Sequence, residues 1–258
     1  MPRTLAACLA LAGWLWASAA SAADIKVLTA GAFRPVIAAL VPGFERQTGN
    51  RVTVENDTAG ALLRRIAAGE AFDVVVLTPE AIAPLRDVGK IAPGSPTRLA
   101  RVGIGVAVRD GAEAPHIATV QAFKDALLAA RAVAYIDPAS GGSSGAYLVR
   151  LFERLGIADR IEPKAVLVPG GLVATRVVSG EADIALHQIS EILAVPGAKL
   201  VGPIPAEIQS YTTYEGAISV TSRDEAASRA FLRALSGGDA AAVLREKGME
   251  PPPASGDR

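Results

Sequence analysis

Short runs of apolar residues alternate along the chain with stretches in which apolar residues recur every three or four positions. Residues 73–77 are almost continuously β-branched, which is typical of a strand covered on both faces of a sheet. Residues 36–47 have the period of an amphipathic helix. Because single helices separate successive strands, the pattern predicts βαβ units and an α/β fold with mostly parallel sheets.

The pattern changes at residues 101–109, a long apolar stretch that is not followed by a helix before the next turn. A second α/β series then precedes another extended stretch at 214–220. Two long strands on either side of a complete α/β unit predict two lobes joined by a two-strand hinge that can close over a ligand. We expect the first lobe at 24–104 plus 213–250, the second at 105–212, and a disordered tail at 251–258.

The first 23 residues have the layout of a secretory signal peptide: Arg3, an apolar run at 5–16 and small residues at 17–23. Cleavage near residue 23 would leave a periplasmic protein. Two alternatives are lipidation of Cys8, which ends a lipobox-like sequence, and retention as a membrane anchor, since residues 5–23 approach the length of about 20 that spans a bilayer. The small residues favour cleavage.

Composition then limits the function classes. The chain has 26 basic and 26 acidic residues, and removal of Arg3 leaves a near-neutral protein, which gives no support for binding nucleic acid or an anionic membrane. Cys8 is the only cysteine, so the mature chain has no disulfide or thiol chemistry. His116 and His187 have no metal-ligand spacing around them. We therefore expect neither a metal nor another cofactor.

Four predicted strands end in small, glycine-containing loops that lead into helices, at residues 29–33, 57–61, 140–146 and 169–172. Such loops expose backbone N–H groups at helix N-termini, where anions bind, and ligands of open α/β sheets lie at the carboxyl ends of strands. The alternative is that these are ordinary turn and cap residues. The candidate ligand-binding residues are Gly31, Ala32, Phe33, Thr58, Ala59, Gly60, Ser143, Ser144, Gly145, Gly171, Leu172 and Gln188, with Arg34 and Arg176 as candidate counter-charges.

A serine hydrolase is the competing hypothesis. Residues 141–145 match the G-x-S-x-G motif around Ser143, and Asp183 and His187 follow in the hydrolase order. However, Asp183 and His187 would be about 13 Å apart along one strand, too far for the aspartate to orient the imidazole. We expect ligand binding without catalysis, and His187 either contacts the ligand or only forms local hydrogen bonds.

Several segments together resemble the periplasmic molybdate-binding proteins, a branch of the type II extracellular solute-binding proteins. The resemblance extends over roughly residues 25–251 and implies two α/β lobes, a ligand in the cleft, and delivery to an ABC transporter permease without catalysis. We expect the protein to be a monomer. A sensor module for a membrane receptor is an alternative binding role. The segments that carry the resemblance are 27–33, 62–69, 72–77, 102–109, Asp137-Pro138 with Gly145 and Tyr147, 180–185 and 247–251.

The chain departs from that family at the residues that would bind molybdate. Ala32 occupies the place of the first serine, residues 58–60 offer one hydroxyl in place of the second, and Gln188 replaces a tyrosine. The loop through Ser143 and Ser144 is about one residue longer. Each lost hydrogen bond to a charged ligand is worth about 1.5 to 3 kcal/mol. The ligand could thus be a tetrahedral oxyanion, a small organic carboxylate or another solute.

Overall fold

A computed structural model describes residues 22–252. The predicted signal peptide up to residue 21, including Cys8, and the predicted tail after Pro252 lie outside the described residues. No helix within the described part of the chain is long and apolar enough to cross a membrane.

The described residues form strands and helices in alternation, as the apolar pattern predicts. The strands are β1 (Asp24–Ala30), β2 (Arg51–Asp57), β3 (Val74–Leu77), β4 (Thr97–Arg109), β5 (Val133–Ile136), β6 (Ala165–Val168), β7 (Ile184–Gln188), β8 (Ala198–Pro203) and β9 (Tyr211–Ile218). The α-helices are α1 (Arg34–Thr48), α2 (Ala59–Ala67), α3 (Pro79–Asp87), α4 (Val120–Ala129), α5 (Ser143–Arg154), α6 (Ala158–Ile161), α7 (Thr175–Ser179), α8 (Ile189–Ile192), α9 (Glu225–Ser236) and α10 (Gly238–Glu246).

The strands pair in the order β2-β1-β3-β9-β4-β7-β5-β6, and β8 also pairs with β4. Strands that are joined through helices pair in parallel, namely β1 with β2 and β3, and β5 with β6 and β7. Every antiparallel pair includes β4 or β9. The α/β fold class is confirmed, and the antiparallel pairs occur at the two long strands that no helix connects to their neighbours.

Strand β4 is 13 residues long and passes from one group of strands to the other. Its residues up to Gly103 pair with β9, beside β1, β2 and β3. Its residues from Ile104 pair with β7 and β8. The apolar contacts change at the same place, because Val102 packs in a core with residues 25–100 and 214–249, whereas Ile104 packs with residues 106–208.

Strands β5 and β7 of the second group are buried on both faces. Val133 and Tyr135 of β5 pack in one apolar cluster, whereas Ala134 and Ile136 pack in another. Successive side chains of a strand point to opposite faces of the sheet, so both clusters draw on the same strand. This arrangement explains the continuous apolar runs in the sequence.

Candidate functional site

A cleft with a volume of about 360 Å³ lies between the two groups of strands. The carboxyl ends of six strands, β1, β2, β3, β5, β6 and β7, reach it, which is the position expected for a ligand site in an open α/β sheet. Most of the sequence-predicted residues line this cleft. They are Gly31, Ala32, Thr58, Ala59, Ser143, Ser144, Gly171, Leu172, Gln188 and the candidate counter-charge Arg34.

Four predicted residues lie outside the cleft lining. Phe33 is fully buried in the apolar core that also contains Val102, and its ring centroid lies 5.9 Å from that of Tyr214. The guanidinium of Arg176 pairs with Glu181 at 3.0 Å. Gly60 packs against the backbone of Gly141, Gly145 packs against strand β5, and neither lines the cleft.

Gly145 allows helix α5 to start directly against strand β5. A Cβ atom at this position would lie 2.1 Å from the carbonyl oxygen of Ile136. The glycine is therefore explained by the close approach of two backbones. Its neighbours Ser143 and Ser144, in the first turn of α5, line the cleft.

The loop after β2 contacts the loop after β5 at one side of the cleft. The Thr58 hydroxyl donates to the carbonyl oxygen of Ser140 at 2.7 Å and accepts from the backbone N–H of Ala61 at 3.2 Å. The backbone N–H of Gly60 donates to the carbonyl of Gly141 at 3.4 Å. The only hydroxyl of residues 58–60 is therefore already engaged within the protein.

Gln188 is a buried side chain at the centre of a hydrogen-bond network. Its Nε2 donates to Ser143 Oγ and to Thr212 Oγ1, both at 3.0 Å, and its Oε1 accepts from the Tyr214 hydroxyl at 2.9 Å. The sequence analysis did not identify Tyr214, which also lines the cleft. Because these polar groups satisfy one another, the network fixes the floor of the cleft.

The hydrolase arrangement is not assembled. The hydrogen-bond partners of the Ser143 hydroxyl are Gln188 and Thr212, and neither can act as its general base. Asp183 pairs with Arg131 at 3.1 Å, and His187 contacts Glu191 instead.

His187 and Glu191 form a buried pair in the wall of the cleft. His187 Nε2 lies 3.1 Å from Glu191 Oε2, and the side chains are 2% and 8% exposed. Burial disfavours both charged forms, which lowers the pKa of His187 to about 3 and raises the pKa of Glu191 to about 8. At neutral pH the imidazole is therefore uncharged and Glu191 holds a proton. His187 Nδ1 is buried and has no hydrogen-bond partner among the described residues.

The cleft lining contains one basic side chain and two acidic ones, Asp57 and Glu191. Arg34 is the one Lys or Arg among the described residues that line the cleft. Helices α1 and α5 begin at Arg34 and Ser143, and no side chain caps the N-terminus of either helix. The first backbone N–H groups of α5, together with the helix dipole, favour negative charge. At the start of α1, in contrast, the N–H of Arg34 donates to the carbonyl of Gly31, and Pro35 has no N–H. Residues 22–252 contain no cluster of three or more His, Cys, Asp or Glu side chains that could hold a metal ion.

The chain has relatives with different names. It is 35% identical over 260 residues to aconitate isomerase of Pseudomonas sp., with 98% of each chain covered. It is 25% identical over 253 residues to the molybdate-binding protein ModA of Azotobacter vinelandii, covering 93% of this chain and 95% of the relative.

The fold is similar to the solved structure of the Azotobacter vinelandii periplasmic molybdate-binding protein, with a TM-score of 0.75 and 22% identity over 88% of this chain and 99% of that one. This likeness confirms the type II periplasmic-binding fold and the resemblance drawn from the sequence. Residues 25–250 match the family model of the bacterial extracellular solute-binding proteins. The chain therefore belongs to the bacterial extracellular solute-binding protein family.

Proposed function

We propose that the cleft binds a small organic polycarboxylate anion. The observation that carries this proposal is the state of the hydroxyl groups around the cleft. Ala32 has none, and its carbonyl accepts from Ser190 at 2.8 Å. The Thr58 hydroxyl is bonded to Ser140, and Gln188 is occupied by its own network. The hydroxyl donors around residues 32 and 58 are therefore absent or engaged, whereas the separate carboxylates of an organic anion can reach Arg34 and the hydroxyls of Ser143 and Ser144 at different points of the cleft.

Two further observations support an organic anion. The cleft volume of about 360 Å³ falls in the range of about 300 to 1,000 Å³ that is usual for small organic ligands. The relative that is 35% identical over nearly the whole chain is named for aconitate, a tricarboxylate. Arg34 would pair with one carboxylate, and the N-terminus of α5 would receive another.

Family membership supports the biological setting of this proposal. A bacterial extracellular solute-binding protein acts outside the cytoplasmic membrane and delivers its ligand to a transporter. We propose that this chain acts in the periplasm as a monomer, after removal of residues 1–23, and delivers its ligand to an ABC transporter permease.

The test is thermal unfolding of the mature chain with cis-aconitate, trans-aconitate, citrate, molybdate, tungstate, sulfate and phosphate. Ligand at a hundred times its dissociation constant should stabilise the fold by about 2.7 kcal/mol, which corresponds to a shift of about 5 to 11 °C at this size. We expect the shift with one or more tricarboxylates. A shift with molybdate or tungstate alone would contradict the proposal.

Two arginines that both come from the sequence prediction provide a matched pair of variants. Arg34→Gln removes the basic side chain of the cleft and should weaken tricarboxylate binding by about tenfold or more, because a charge-assisted hydrogen bond is lost. Arg176→Gln removes an arginine that pairs with Glu181 outside the cleft lining and should leave binding unchanged. Equal effects would argue against the assignment of Arg34.

Isomerisation of the bound acid is a second candidate function. It is favoured by the name of the 35% identical relative and by the buried acid–base pair in the cleft wall. It would replace the expectation that the chain binds without catalysis. Proton NMR of trans-aconitate incubated with the protein tests it, because the vinyl signals of the two isomers differ. The absence of conversion by the folded, ligand-binding protein would exclude this second function.

A further inference from the structure

Glu191 is an acidic residue that the fold holds at the ligand cleft. It lies in the short helix α8, immediately after strand β7, within an apolar run. The hydroxyl of Ser190 donates to the carbonyl of Ala32 at 2.8 Å, which fixes α8 against the loop after β1. The Glu191 carboxyl lines the cleft, and His187 Nε2 holds its Oε2 at 3.1 Å. The loop and the carboxyl therefore meet where the ligand is proposed to bind.

Gly31 leaves room for this carboxyl. A Cβ atom at position 31 would lie 2.5 Å from Glu191 Oε1 and 3.4 Å from its Cδ, and it would meet no other residue within 4 Å. Gly31 is not among the described glycines with positive φ, so its backbone does not require glycine. The space at position 31 is thus explained by Glu191 alone.

Stability does not explain the pair. Removing a carboxyl and an imidazole from water costs free energy, and apolar side chains of similar volume are often equally or more stabilising at such positions. Perturbed titratable groups that line a cleft are instead typical of sites that transfer protons. The surroundings of Glu191 combine burial, a 3.1 Å contact of one oxygen atom with an imidazole nitrogen and a position in the lining of the cleft.

We propose that Glu191 is the proton-transfer group of the cleft and moves a proton between two carbon atoms of a bound, unsaturated polycarboxylate. The inference rests on the proposed binding function and adds a chemical step to it. His187 acts through Glu191, as a positioning residue that holds one carboxyl oxygen and leaves the other for the substrate.

The step conserves all atoms and electrons. The Glu191 carboxylate removes a proton from a methylene carbon that adjoins the C=C bond, so a C–H bond breaks and an O–H bond forms. The electron pair delocalises over the three carbons and the attached carboxylate. Glu191 then returns the proton to the far carbon of the three, and the double bond moves by one position. No oxidant or reductant is required.

The surroundings adjust Glu191 to this task. A group that removes a proton near neutral pH is most effective when its pKa is close to the working pH. Burial raises the pKa of Glu191 to about 8, so the ionised fraction is a stronger base than an ordinary carboxylate. Arg34 and the N-terminus of α5 would stabilise the negative charge on the substrate while the proton is on Glu191.

The experiment follows the conversion of trans-aconitate by proton NMR and its binding by calorimetry, for the wild type, Glu191→Gln and Arg176→Gln. Glu191→Gln keeps the size of the side chain and removes its ability to transfer a proton. We expect conversion to fall at least about 100-fold while binding changes by less than about fivefold. Arg176→Gln should behave as the wild type. Retained binding by Glu191→Gln shows that this variant is folded.

The outcomes separate this proposal from the binding function. Binding without conversion by the wild type would overturn the proton-transfer role and leave the binding function standing, as would full conversion by Glu191→Gln. No binding of any tricarboxylate would overturn both.

The role of His187 is tested through the pH–rate profile. His187→Leu should shift the apparent pKa of the profile upward, since the ionised carboxyl loses its hydrogen bond, whereas His187→Gln keeps a donor and should restore the profile. An unshifted profile for His187→Leu would show that His187 does not act through Glu191.

Discussion

The hydroxyl of Tyr214 donates a 2.9 Å hydrogen bond to Gln188 Oε1 and thereby joins strand β9 to the end of strand β7. These strands belong to different groups, so the bond crosses from one side of the molecule to the other beneath the cleft. Gln188 uses both amide hydrogens as well, for Ser143 and Thr212. One buried amide therefore adds to the bonds of Thr58 and Ser190 in joining the two sides of the cleft.

Tyr214→Phe is expected to destabilise the protein. It removes the donor for Gln188 Oε1 without changing the ring, and a buried acceptor left unpaired costs about 1 to 3 kcal/mol. Urea unfolding measures the change. Tyr211→Phe is the matched control, because Tyr211 lies on the same strand and is 47% exposed. Equal midpoints for the two variants would contradict the structural role of the Tyr214 hydroxyl.

Thr58→Val tests the contact between the loops after β2 and β5. The substitution removes the hydroxyl that caps α2 and donates to Ser140, so we expect a loss of about 0.5 to 2 kcal/mol in stability. Ligand binding should also weaken, because this bond connects two loops of the cleft. Thr58→Ser keeps the hydroxyl and should retain both properties. The prediction fails if Val and Ser variants bind equally.

The sequence predicted the cleft because topology alone places the ends of parallel strands at one edge of each sheet. The spacing of residues along the sequence does not show which way a side chain points, however. Phe33 is in a predicted loop, yet its ring turns into the core beside Tyr214. Arg176 is taken up by Glu181, five residues later. Local spacing does not show that Phe33 is buried, because that depends on strand β9, almost 180 residues away. It does not show that Arg176 pairs with Glu181, because that depends on side-chain rotamers.

Glu191 is the residue that sequence analysis could have found. It is the one acidic or basic residue besides His187 in the mostly apolar stretch at 184–198. An acidic residue in such a position is either buried and functional or at a surface.

The sequence analysis also missed helix α3, although Thr78 and Pro79 form a typical helix start. Strand β8 has a weaker signal, because it ends in glycine and proline.

Gly31→Ala should destabilise the protein by about 1 to 3 kcal/mol, because the new methyl group would overlap the Glu191 carboxyl. The cost should largely disappear when Glu191→Ala is also present, which a double-mutant cycle measures. Gly43→Ala is the control, since Gly43 lies within α1 and has open space around it. That substitution should stabilise by about 0.5 to 1 kcal/mol. Additive costs in the cycle would show that position 31 and Glu191 are not coupled.

The pH dependence of stability should report the burial of Glu191. Its pKa is about 4.5 in the unfolded chain and about 8 in the folded protein, so the folded state binds more protons between these values. The contribution of the Glu191 carboxyl to the stability of the folded protein is complete below pH 4.5 and is lost as the pH rises through 8. The free energy of unfolding of the wild type, relative to Glu191→Gln, should therefore fall by up to about 1.4 kcal/mol per pH unit in this window.

Comparison with the variant isolates Glu191 from its surroundings. His187, Arg34, Asp57 and Tyr214 are the other titratable groups that line the cleft, and all are present in both proteins. Urea unfolding at several pH values gives the two curves. Parallel curves would mean that Glu191 titrates as an ordinary exposed carboxyl.

The path of strand β4 also determines the order in which the molecule can fold. The apolar clusters of residues 104–208 are built from one continuous segment. The other cluster needs β9 between β3 and β4, which brings Val76 opposite Gly216 across the whole inserted segment. Closing that loop costs entropy before any contact repays it, and non-local strand pairing is slow. We expect the segment at 104–208 to fold early. The amino-terminal strands should become stable only when residues 211–218 pair with them, so that β9 completes the sheet last.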